Sequence, residues 1–119
     1  MSTTLDKFRG AALSLARSGS IKDRLTAAYR DHLALVEESE LPRDLVAEFR
    51  ALNTTLKRER PASREDDALR ATVRKMSSIE ADEVASCVVR LYGAMSAEDE
   101  DQSSLNSIVS QRVVSSWRA

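Results

Sequence analysis

The sequence predicts an all-α protein: a small antiparallel bundle of four core helices, with an additional helix at each terminus. Three observations lead there. Only 3 Gly and 2 Pro occur in 119 residues, too few for a strand-and-turn architecture. Apolar residues return every third or fourth position through most of the chain, the period of a helix with one buried side. Ser and Pro stand where several of these runs begin, as helix-start signals do. The chain divides on this basis into an N-terminal amphipathic helix (1–19), a bundle core (20–95), an acidic linker (96–104) and a C-terminal amphipathic helix (105–119).

The first helix runs from Leu5 to about Arg17 and is stopped by Gly19, which suits the left-handed conformation after a helix end. Lys7, Arg9 and Arg17 give this segment a faint presequence character, but it lacks the apolar stretch of a secretory signal. Ser20 is placed to cap the second helix, with Asp23 in its first turn where the helix dipole favours negative charge. That helix sets Ile21, Leu25, Tyr29 and Val36 on one side, with Leu33 and Leu35 flanking the stripe. Pro42 opens the third helix, where its missing N–H costs no hydrogen bond. Leu45, Phe49, Leu52 and Leu56 make its apolar stripe, and the helix is expected to stop before Pro61.

Ser63 is the expected cap of the fourth helix, whose inner side carries Leu69, Val73 and Met76. Ser77 and Glu80 have capping-box spacing at the start of the fifth. The fifth helix presents Val84, Cys87, Val88, Leu91, Tyr92 and Met95 and is expected to end near Gly93 or Met95. The run Glu98-Asp99-Glu100-Asp101 is self-repelling and reads as solvated linker. Beyond it Leu105, Val109, Val113 and Trp117 recur every fourth residue, a sixth amphipathic helix.

Composition narrows the function. The net charge is −1, and no apolar run approaches the ~20 residues that span a bilayer. One Cys excludes an internal disulfide, and a lone thiol without an export signal points to the reducing cytoplasm. One His leaves no His-paired metal site, and no cofactor is expected. Gly10, Gly19 and Gly93 stand too far apart for a phosphate-cradling loop. Asp99, Asp101 and Ser103 alternate like calcium ligands, yet Ser104 and Ser110 occupy the positions that need Gly and Glu. An enzyme would have to be built around His32 and Cys87, and no catalytic motif surrounds either.

Two kinds of candidate site remain. His32 lies only about 20° around the helix from Leu25, a titratable ring in an apolar stripe; a core histidine is the commoner explanation, a partner-binding one the sharper. With Tyr29 and the terminal stripe of Leu105, Val109, Val113 and Trp117, it makes the candidate interaction set. The expected function is that of a non-catalytic helical interaction or regulatory protein, contacting a protein partner or a second copy of itself, since such surplus apolar faces often end in association. The alternative is association with nucleic acid. Residues 1–75 hold 15 basic and 12 acidic side chains against 3 and 7 in residues 76–119, and Arg58, Arg60, Arg64, Arg70 and Arg74 could hold phosphates. The fourth and fifth helices even resemble a helix-turn-helix in outline, but Glu80, Asp82 and Glu83 at the head of the would-be recognition helix would repel DNA.

Overall fold

A computed structural model of the chain describes residues 3–104, with side chains through Ala97. Every regular element in that range is helical. α1 spans Thr4–Leu15, α2 Ile21–Asp31, α3 Arg43–Leu56, α4 Ala68–Lys75 and α5 Ser78–Ser104, with two short 3₁₀ turns, Leu33–Leu35 and Glu38–Glu40, between α2 and α3.

The caps follow from local side-chain chemistry. Thr3 and Asp6 close a capping box on α1, each satisfying a backbone N–H that the first turn leaves without a partner. The Ser20 hydroxyl accepts from the Asp23 N–H at 3.1 Å, and that of Ser77 from the Glu80 N–H at 3.0 Å. Gly19, with φ of 115°, turns the chain from α1 into α2 in a conformation other residues rarely adopt. Arg24 locks this corner by donating from Nη1 to the Leu15 carbonyl at 2.5 Å and from Nε to that of Gly19 at 3.1 Å.

Contacts at the helix ends give the directions. Lys22 reaches the Arg74 carbonyl at 3.2 Å and Arg30 the Asp67 carboxylate at 2.7 Å, so α2 and α4 run antiparallel. Arg58, just past α3, pairs with Glu80 at the head of α5, while Glu48 faces Arg90 further along; these two helices are antiparallel as well. The end of α1 is tied to the start of α2, which adjoins the end of α4, where α5 begins. The start of α1 meets Glu40, just before α3, and α1 packs on α5, so α1 also runs against α5. The longest helix thus lies among three others, touching α1, α2 and α3.

The core is one cluster. Phe8 and Ala11 of α1, Leu25 and Tyr29 of α2, Phe49, Leu52 and Leu56 of α3, Leu69 and Val73 of α4, and Val88 and Leu91 of α5 are all buried. Phe8 and Phe49 meet edge to face, centroids 5.6 Å apart at 63°, an arrangement the ring quadrupoles favour. The N-terminal helix therefore completes the core. Buried Thr72 donates to the Ala68 carbonyl at 2.7 Å and accepts from the Glu59 N–H at 3.0 Å, stitching the loop after α3 onto α4.

Several boundaries differ from the sequence expectation, each with a cause. α2 ends at Asp31, and His32 leaves helical geometry at φ −130°, ψ −60°. The two 3₁₀ turns that follow are held to α1 by Lys7 on the Leu35 carbonyl and Thr4 on Glu40. Val36 therefore does not continue the α2 stripe. α3 stops at Leu56, five residues before Pro61, and Pro42 is its N-cap. α4 starts at Ala68 because Asp67, not Ser63, caps it, accepting from the Arg70 N–H at 2.7 Å. Asp66 accepts from the Ala62 N–H at 3.0 Å, which holds residues 62–66 in a turn. α5 passes through Gly93 and Met95 and winds residues 96–104 into the same helix. A single exposed glycine costs a helix only about 1 kcal/mol relative to Ala, which packing on either side of Gly93 outweighs. The sixth helix expected over 105–119 lies outside the described residues.

Candidate interaction surface

Among the described residues most large apolar side chains turn inward, but Leu13 is 58% exposed, Leu35 62%, Ile79 74% and Val89 48%. Two of these are related by the fold. Leu13 is on α1 and Val89 on α5. Two apolar side chains are thus left exposed on two helices that pack against each other. Neither residue stood out in the sequence. The available signal was Leu13 itself, well outside the arc that Phe8, Ala11 and Leu15 mark as the buried side of α1.

The residues singled out from sequence are dispersed. Tyr29 is buried; its hydroxyl donates to Asn53 Oδ1 at 2.7 Å and its ring lies 5.6 Å from Lys57 Nζ. It holds α2 to α3. His32 is half-buried at the end of α2, its ring against the backbone of α1 at Gly10. Leu105, Val109, Val113 and Trp117 lie outside the described residues.

His32 meets α1 at Gly10, whereas Cys87 meets α3 at Glu48. The Cys87 thiol, half-buried on α5, lies 3.8 Å from Glu48 Oε1 of α3. Desolvation and the Glu48 charge push that thiol up, with Arg90 opposing. Such a cysteine is protonated and slow as a nucleophile, and its contacts share no residue with the surroundings of His32. Among the described residues no group of three or more His, Cys, Asp or Glu side chains gathers at one point.

The basic residues are partly engaged. Arg58 forms a two-pronged pair with Glu80 at 2.6 and 2.7 Å, and that bond holds the Glu80 carboxyl below its usual range. Arg74 pairs with Asp66 at 2.9 Å and Lys75 with Glu59 at 3.1 Å. Arg60, Arg64 and Arg70 are exposed. Arg70 and Arg74 line an open groove of about 660 Å³ between α2 and α4, facing Lys22 and Arg30 but also Asp23 and Asp31. With Asp66 and Asp67 already on Arg74 and Arg30, the groove carries nearly balanced charge.

No helix among the described residues is long and apolar enough to cross a membrane. Compared with protein-family models, curated proteins and solved structures, the chain has no match in any of the three.

Proposed function

We propose that this is a small helical interaction or regulatory protein, working through contacts between its helix faces and a protein partner or a second copy, without catalysis of its own. The supporting observation is that Leu13 of α1 and Val89 of α5 stand exposed on two helices that pack against each other. Keeping two aliphatic side chains in water forgoes roughly 1.5–3 kcal/mol each relative to burial, a cost that binding can recover. A partner with apolar side chains to cover Leu13 and Val89 fits these exposed groups. The single unpaired thiol accords with a reducing cytoplasm as the place of action.

The test is a surface variant. Leu13→Glu combined with Val89→Glu changes only exposed positions, so the unfolding midpoint should hold. Light scattering across a wide concentration range, and recovery of partners from the native host, should both show loss of whatever association the natural chain makes. A natural chain that stays monomeric and recovers nothing that the variant does not also recover overturns the proposal.

A second reading, nucleic-acid association, draws on the exposed Arg60, Arg64 and Arg70 and the groove that Arg70 lines. Its expected signature is affinity that falls steeply with salt as counterions are released. Pairing of Arg58 and Arg74 with carboxylates ranks it second.

A further inference from the structure

The groove between α2 and α4 balances its charge in sum but not along its length. Two contacts fix how its walls face each other. Lys22 donates to the Arg74 carbonyl at 3.2 Å at one end, and Arg30 to the Asp67 carboxylate at 2.7 Å at the other. Halfway between, Thr26 and Ala27 of α2 stand across from Arg70 of α4, and all three line the groove. Asp23 and Asp31 belong to its two ends, eight positions apart on α2, about 12 Å along the helix axis. Arg70, in the middle, makes no ion pair among the described residues. The guanidiniums to either side of it are held in place. Arg30 is bound by Asp67, whose other oxygen accepts the Arg70 N–H at 2.7 Å. Arg74 is bound by Asp66, whose side chain is only 7% exposed and also accepts from the Ala62 N–H.

We propose that the centre of this groove binds a short chain of phosphates carried by a small polyanion. Arg70 supplies the uncompensated charge. Arg30 and Arg74 each keep guanidinium N–H groups beyond those given to Asp67 and Asp66, and a planar guanidinium can bind two phosphate oxygens at once. Thr26, Ala27 and Val73 are short and leave the space between the walls open, and a volume of about 660 Å³ is that of a small-molecule cleft. Asp23 and Asp31 set the length. A nucleic-acid backbone running through the groove would meet a carboxylate at each end, whereas a ligand shorter than about 12 Å stops before both. The site shares no residue with Leu13 or Val89, so it stands or fails apart from the association proposed above.

Inorganic triphosphate is the probe, titrated into the full chain by calorimetry at low ionic strength, with amide NMR shifts to locate it. Saturable binding is expected, with the shifts gathered at Thr26, Ala27, Arg70 and Val73. Arg70→Gln changes an exposed side chain and should weaken affinity by about tenfold or more, as loss of a charge-assisted hydrogen bond does, while the circular dichroism stays the same. Arg60→Gln, on the exposed loop, should leave affinity unchanged. ATP in place of triphosphate separates two sources of the same chemistry. Equal affinity supports the proposal with a nucleotide's phosphate chain as the ligand, and weaker binding supports it with a free polyphosphate. Absence of saturable binding overturns the proposal, as does equal affinity in Arg70→Gln. Shifts centred on Arg60 and Arg64, or tighter binding of a single-stranded oligonucleotide, also overturn it, in favour of nucleic acid.

Discussion

The ring of His32 occupies the space in which any residue other than glycine at position 10 would carry its side chain. A Cβ placed on Gly10 falls 2.5 Å from His32 Nδ1 and 2.6 Å from Cε1, far inside van der Waals contact. The glycine in the middle of α1 is thus a seat for the end of α2. Replacing Gly10 by Ala should gain about 1 kcal/mol of helix propensity and lose about 1–3 kcal/mol to overpacking, for a net loss. The double substitution Gly10→Ala with His32→Ala should recover most of it. Urea unfolding of the four proteins in this cycle measures the coupling directly.

Thr72 offers a cleaner deletion. Thr72→Val keeps the shape but leaves the Glu59 N–H, which donates to Thr72 Oγ1 at 3.0 Å, without its acceptor. A loss of about 1–3 kcal/mol is expected, together with faster hydrogen exchange at the Glu59 amide.

Phe8→Ala should destabilise by roughly 3–5 kcal/mol, the usual cost of emptying a buried aromatic site. The unfolding midpoint would drop as far for this N-terminal residue as for Phe49→Ala. An N-terminal helix lying outside the core would instead make Phe8→Ala nearly silent.

Acid should weaken the fold. Glu80 is held below its usual range by the hydrogen bond from Arg58, Glu38 by that from Arg50, and Asp66 first by the Ala62 N–H and then by Arg74. A carboxyl depressed in the folded state contributes stability that is fully present above its unfolded pKa and is lost as pH falls through the folded value. Urea midpoints should therefore be flat at neutral pH and decline once pH drops through and below the ordinary carboxylate range. In Arg58→Ala, the Glu80 carboxyl should titrate at its ordinary position by carbon NMR.

Cys87 should react with a thiol reagent more slowly than a free cysteine at neutral pH, since burial and Glu48 both disfavour the thiolate. Glu48→Gln should speed the reaction.

The parts of the fold that periodicity alone determines are those the sequence yields most readily. Phe49, Leu52 and Leu56 are buried along α3, and Val84, Val88, Leu91 and Met95 along α5, as their spacing predicts. Termini were harder, because their causes are tertiary or depend on a choice between equivalent caps. Ser63 and Asp67 are both good N-cap residues, and only the Asp66–Ala62 hydrogen bond decides between them. The break at His32 depends on a vacancy at Gly10, 22 positions earlier in the chain, which no local pattern announces. Leu33 and Leu35 look alike in sequence, yet one is buried and the other exposed, because the chain leaves the helix between α2 and the 3₁₀ turn. The same applies to the packing of α1 on α5, which joins the two ends of the described chain and leaves no local mark in the sequence.

That last helix also sets the order in which the molecule can be assembled. α5 touches the first, second and third helices, so Phe8 and its neighbours, synthesised at the outset, stay without one wall of their chamber until Val88 and Leu91 arrive. Such a closure between distant parts of the chain is slower than pairing of adjacent helices. A ribosome-held fragment lacking α5 should remain loosely collapsed and open to proteases, and should gain resistance in one step as that helix emerges.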